Sequence, residues 1–168
     1  FNTKILKTDF ITYDNLQIAD IRVVYVPLVN INNFIFDRFG SFEYKHSATI
    51  IINRVLTLEK NSKSAKIYAN IESSHFEIIY VVNNHLKFYN RFDYQTKEDF
   101  IYYLLFTVEQ LQLNPEEILF LLMGSVNKSN ELYQIAYKYI RHFSLLPKES
   151  MRYSNGANSN HFTLLNSL

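Results

Sequence analysis

ANIESSHFEIIYVV, residues 69–82, decides the fold. An apolar run closes at Ile71, polar Glu72, Ser73 and Ser74 interrupt it, and a second apolar run opens at His75. Two runs of strand-forming residues joined by a short polar turn read as strand, turn and strand. The neighbouring segments extend this pattern. AKIYANI (65–71) is the first strand and HFEIIYVV (75–82) the second. NNH (83–85) is a tight turn, because asparagine tolerates positive φ. HLKFYNRFDY (85–94) is a third strand, with Leu86 and Phe88 alternating with polar residues, so the three make an antiparallel meander.

Downstream, Thr96 and Asp99 form a capping box. Phe100, Leu104, Thr107, Val108 and Leu111 then lie on one helix face, which must pack on the sheet. Asn114 and Pro115 end that helix. EEILFLLMG (116–124) is a continuous apolar run, as expected of a strand buried on both faces. Ser129 caps a further helix with Leu132, Ile135, Ala136, Tyr139 and Ile140 inward, and HFSLLP is a closing strand. Residues 148–160 are polar and read as loose, and HFTLL as a final strand or a docking tail. Upstream, a strand is expected near 3–8, followed by a loop. RVVYVPLV (22–29) is a strand with Pro27 near its end. NINNFIFDRFG is a short helix capped by asparagine, with apolar faces from Phe34, Phe36 and Phe39, stopped by Gly40. HSATIIINRVLTLEK (46–60) carries β-branched residues but is long, and it reads as helix. NSKS (61–64) is a linker.

Composition narrows the chemistry. The 168 residues suit one domain, or one and a half lobes of a larger one. Seventeen basic and sixteen acidic residues leave a net charge of +1, which gives no electrostatic argument for nucleic acid or an anionic membrane. The chain has no cysteine, which removes thiolate metal sites and a cysteine nucleophile and suits a cytoplasmic protein. No apolar run approaches the roughly 20 residues of a membrane helix. Only three glycines are present, so there are few places where backbone could closely cradle a phosphate.

From 65 to 146 the expected order is β-β-β-α-β-α-β, with right-handed crossovers. This order resembles a ribonuclease-H-like lobe, and two such lobes facing one another make the actin-like ATPase fold. ANIESSHFEIIYVV resembles the phosphate strand pair of that superfamily, above all its pilus-assembly and cell-division members. LFLLMGSVNKSNELYQIAYKYI (119–140) is similar to their strand, glycine turn and helix at the adenosine site. YVPLVNINNFIFDRFGSFEYKH (25–46) and RFDYQTKEDFIYYLLFTVEQL (91–111) resemble a bacterial family of unknown function in the same superfamily. The resemblance implies that residues 1–62 are the remainder of a first lobe beginning upstream of Phe1. Residues 63–168 would then be the second lobe. It also implies a site for ATP with magnesium at Asn70, Glu72, Ser73, Ser74, Gly124 and Ser125.

That site departs from the superfamily pattern. Its turn usually reads Asp, apolar, Gly, then small hydroxyl residues. Here Asn70 lacks the carboxylate and Glu72 adds a negative charge. Near a surface, a like-charge contact at ~4 Å costs about 4 kcal/mol. At the adenosine turn a double glycine becomes Gly124 and Ser125. The expectation is therefore a non-catalytic interaction or scaffold module, with a protein partner or self-association and no cofactor. A divergent nucleotide binder is the alternative, in which Ser73 and Ser74 donate to phosphate and Gly124 admits adenosine. A third reading is an RNA-associated protein presenting Lys87, Tyr89 and Arg91 from one strand face. A two-metal nuclease would draw on Glu72, Asp93, Glu98 and Asp99, but Asp99 and Glu98 suit the helix N-terminus better. His46, His75, His85, His142 and His161 show no metal-ligand spacing.

Overall fold

A computed structural model of the chain describes residues 9–147 and 163. The strand expected near 3–8, the polar 148–160 segment and the HFTLL segment lie outside the described residues, Thr163 excepted.

The chain opens with an antiparallel hairpin, β1 (Thr12–Leu16) and β2 (Ile21–Tyr25), in which Thr12 pairs with Tyr25 and Leu16 with Ile21. β1 occupies residues expected to form a loop. Its alternating burial explains the strand: Leu16 is buried, while Tyr13 and Asn15 face solvent. Helix α1 (Val29–Phe39) follows Pro27 and stops at Gly40, whose φ is +80°. Its N-cap is Leu28, with no side-chain cap, so the expected asparagine cap is not used. Helix α2 (Ser47–Leu58) begins at His46, whose ring Nδ1 accepts from Ala48 N at 3.1 Å. Asp14 of β1 steadies this start, accepting from His46 N (2.8 Å) and Thr49 Oγ1 (2.7 Å).

The main sheet holds β3 (Lys66–Ile71), β4 (His75–Val82), β5 (His85–Asp93), β6 (Leu119–Gly124) and β7 (Phe143–Leu145), in the spatial order β5-β4-β3-β6-β7. β3 runs antiparallel to β4 and parallel to β6, and β6 runs parallel to β7. With helices α3 (Lys97–Gln110) and α4 (Glu131–Tyr139), the sequence from β3 to β7 is β-β-β-α-β-α-β, as expected. The β4–β5 turn places Asn83 and Asn84 at φ +51° and +59°, in the left-handed region that asparagine tolerates.

Both faces of the sheet are covered. Ile67, Ala69, Ile71, Phe76, Ile78, Phe120 and Leu122 pack with α3 and α4. Tyr68, Ile79, Val81, Leu121 and Met123 pack with Ile51, Ile52, Val55 and Leu56 of α2. A two-sided core explains why β3 and β6 read as unbroken apolar runs.

Three further local expectations need correction. β5 carries a bulge: Tyr80 pairs with Phe88 and Val81 with Leu86, leaving Lys87 as the extra residue. Leu86 therefore joins the α2 side and Phe88 the α3 side, not one shared face. Helix α4 is capped by Asn130, whose side chain accepts from Leu132 N at 2.8 Å; Ser129 Oγ donates to Asn127 instead. Tyr139, expected inward, is 59% exposed. The capping box of α3 forms as read, Thr96 Oγ1 accepting from Asp99 N and Asp99 Oδ2 from Thr96 N.

Candidate functional site

β3 and β6 lie side by side and parallel, with Ile71 opposite Gly124. Each strand ends in a turn on the same edge of the sheet. Such carboxyl ends are where open α/β sheets receive ligands. The fold thus brings Asn70, Glu72, Ser73, Ser74, Gly124 and Ser125 into one neighbourhood.

Gly124 holds the two turns together. Its φ is +85°, and a Cβ there would stand 2.4 Å from Ile71 O and 2.7 Å from Asn70 Oδ1. Only glycine satisfies both the backbone angle and the approach. Ser125 N then donates to Ile71 O at 2.7 Å. Gly124 is thus tightly packed against β3.

The phosphate-like turn is pinned from behind. Glu72 N donates to His75 O (2.9 Å), Tyr94 N to Ser74 O (3.1 Å) and Tyr94 OH to Glu72 O (2.6 Å). Burial, and then the charge of Glu72, raises the Tyr94 pKa and keeps that hydroxyl a donor. Ser73 and Ser74 are exposed at the tip, and Glu72 is half-exposed.

Beneath the turn lies a buried polar group that the sequence reading missed. Asn70 is fully buried, and its Nδ2 donates to Glu77 Oε2 at 2.9 Å. Tyr89 OH donates to Glu77 Oε1 at 2.7 Å. Glu77 is only 4% exposed. Burial first, and the Glu77 carboxylate second, push the Tyr89 hydroxyl far above its ordinary pKa. Asn70 Oδ1 has no hydrogen-bond partner. The signal was available: Glu77 is the one acid inside HFEIIYVV, and an acid in a buried strand needs donors.

The other candidate residues do not converge here. Tyr89 turns inward to Glu77, so Lys87 and Arg91 are exposed without a ring between them, and Arg91 reaches Asp93 at 3.4 Å. Asp99 accepts from Gln95 N and Thr96 N, which hold its pKa below the usual carboxylate value. Among the described residues no three His, Asp or Glu side chains gather as metal ligands. Two other cavities occur near the N-terminal part. A polar one of about 510 Å³ lies between the β1–β2 turn and the outer side of α2. A more apolar groove of about 560 Å³ is lined by Phe10, Val29, Phe36 and Tyr44.

A model of the family DUF3822, described as a protein of unknown function, matches residues 1–143. The chain belongs to DUF3822. No curated protein matches it. Among solved structures, the DUF3822 chain is similar to the crystal structure of a Bacteroides thetaiotaomicron VPI-5482 protein with an actin-like ATPase fold and unknown function. The TM-score is 0.79 at 20% identity, over 99% of the DUF3822 chain and 62% of the other. The DUF3822 chain therefore has an actin-like ATPase fold and spans under two thirds of that neighbour's length. No helix among its described residues is long and apolar enough to cross a membrane.

Proposed function

We propose that this DUF3822 chain is a non-catalytic interaction module of the actin-like fold, working in the cytoplasm through a protein partner or self-association. The observation that carries the reading is the state of Asn70. The position where the superfamily places a cleft carboxylate holds a fully buried amide committed to Glu77. The Glu72 side chain adds a charge at the turn itself, repelling phosphate. Tyr102 and Phe106 on α3 and Tyr137 on α4 remain exposed, which suits a surface kept for contacts. Residues 1–62 would belong to a first lobe, with α2 reaching across to the sheet of the second.

A divergent nucleotide binder is the second reading. The adjacency of exposed Ser73 and Ser74 to the Gly124 turn, with the buried Glu77 carboxylate one strand away, favours it. An RNA-facing role draws less support, because Tyr89 is engaged with Glu77.

Thermal unfolding of the full-length protein with and without millimolar Mg-ATP separates the first two. A ligand at 100 times its dissociation constant adds about 2.7 kcal/mol. An unchanged midpoint is the expected result. A rise of several degrees that Ser73→Arg abolishes would overturn the proposal in favour of nucleotide binding.

A further inference from the structure

Helix α2 turns one face to the main sheet, where Ile51, Ile52, Val55 and Leu56 pack. On its outer side Thr49, Asn53 and Thr57 recur at intervals of four and form a polar stripe, with Arg54 beside it. Arg54 is the one charged residue of that helix. The stripe lines the polar cavity of about 510 Å³, which Asn15 and Gln17 line from the end of β1, and Lys45 from just before the helix. That volume falls in the range of about 300–1,000 Å³ typical of small-molecule sites. Asp14 fixes the hairpin to the helix without lining the cavity: its carboxylate accepts from Tyr25 OH (3.0 Å), His46 N (2.8 Å) and Thr49 Oγ1 (2.7 Å).

The donors and acceptors of this lining select a ligand class. Two cations line the cavity and no carboxylate does, which favours an anionic group. Lys45 makes no ion pair among the described residues. A phosphate monoester, with roughly two negative charges near neutral pH, matches two cations. The hydroxyls of Thr49 and Thr57 already donate, to Asp14 Oδ2 and to Asn53 O, so their oxygens remain to accept. The side-chain amides of Asn15, Gln17 and Asn53 can donate and accept. Acceptors call for hydroxyl groups on the ligand, and no aromatic ring lines the cavity to stack on a base. We propose that this cavity binds a small phosphorylated polyhydroxy compound of the sugar-phosphate class. Lys45 and Arg54 hold its phosphate, and the threonine oxygens and asparagine amides take its hydroxyls. The cavity shares no residue with the turns at Ser73 and Gly124, and the inference stands or falls apart from the proposed function.

The test titrates glycerol phosphate, ribose phosphate, glucose phosphate and inorganic phosphate, at millimolar concentration, into the isotope-labelled full-length protein and follows backbone amide shifts. Two variants, Lys45→Ala and Asn53→Ala, are titrated alongside, both at exposed positions that leave the core intact. The expected result is saturable shifts centred on residues 15–18 and 45–57, with at least one sugar or polyol phosphate binding about tenfold more tightly than inorganic phosphate. Lys45→Ala should weaken that compound about tenfold, the loss of one charge-assisted hydrogen bond. Asn53→Ala should weaken the same compound and leave inorganic phosphate unchanged. No saturable shift with any of the phosphorylated compounds overturns the inference. So do equal affinities for inorganic phosphate and the best of them, or binding that Lys45→Ala leaves unmoved. Shifts centred on Ser73 and Gly124 overturn it as well, and assign the phosphate to the strand-end turns instead.

Discussion

At Gly124 any side chain would collide with the carbonyl of Ile71, and the backbone already stands at φ +85°. Gly124→Ala should therefore destabilise the protein by roughly 1–3 kcal/mol, the range for strained backbone at a fixed site. A urea midpoint unchanged from the parent would show that the two turns are not in such contact. Substitution here tests the fold before it tests any ligand. Glu77 works the other way, as an acceptor whose loss orphans donors. Glu77→Ala leaves the Asn70 amide and the Tyr89 hydroxyl unpaired in a buried place. Each unsatisfied buried group costs about 1–3 kcal/mol, so a large loss is expected. Glu77→Gln, which keeps an acceptor, should lose less. Equal losses in the two variants, measured by denaturant unfolding, would argue against this network. The resemblance to the superfamily motifs assigned Asn70 and Glu72 to a phosphate turn and Gly124 to an adenosine turn, and the fold sets the two turns side by side. The sequence reading passed over Glu77, whose place in an apolar strand marked it as needing donors, because local pattern does not say that Asn70 and Tyr89 supply them.

Among the elements, α3 was legible down to its first turn. Thr96 and Asp99 sit three residues apart before an apolar stripe, and that local chemistry suffices to start a helix. Thr96→Ala should cost about 1 kcal/mol, read as a lower urea midpoint, while Gln95→Ala should change little. No difference between the two would mean the cap does not hold the helix. The strand β5 was legible only in part. A period-two reading assumes unbroken pairing, and the bulge at Lys87 shifts every residue before it to the other face. Helix α1 was read from capping asparagines, its phenylalanines and its stop at Gly40; the stop holds, the asparagine cap is not used, and none of the helix is buried. Phenylalanines at 34, 36 and 39 promise a core only if a core lies beside them, and here they meet none.

For the whole molecule, the tyrosines tie stability to alkaline pH. Burial, helped by the Asp14 carboxylate, raises Tyr25 to about 12. Burial and a neighbouring carboxylate push Tyr68 and Tyr89 higher still, and Tyr94 also rises. A folded pKa above the unfolded value of about 10 means the folded state holds the proton longer. The stabilisation these groups give is complete below pH about 10 and is lost as pH climbs through the folded values. The urea midpoint should hold to about pH 9 and fall steadily above about pH 10. Tyr89→Phe should make that fall shallower. A midpoint flat to pH 11, or a Tyr89→Phe slope equal to the parent's, would contradict the burial of these hydroxyls.

The sequence by itself determined the order of elements from β3 to β7, the turns at Asn83 and Asn84, and the cap of α3. These follow from neighbours within a few residues, where period, propensity and capping act. Only the tertiary structure decided which face each β5 residue took, that Asn70 and Glu77 join across strands, and that Gly124 locks against Ile71. Those outcomes depend on atoms far apart in the chain, brought within hydrogen-bond or van der Waals reach by packing. The same holds for α1, whose apolar side chains were plain in the sequence but whose exposure depended on what folds against them.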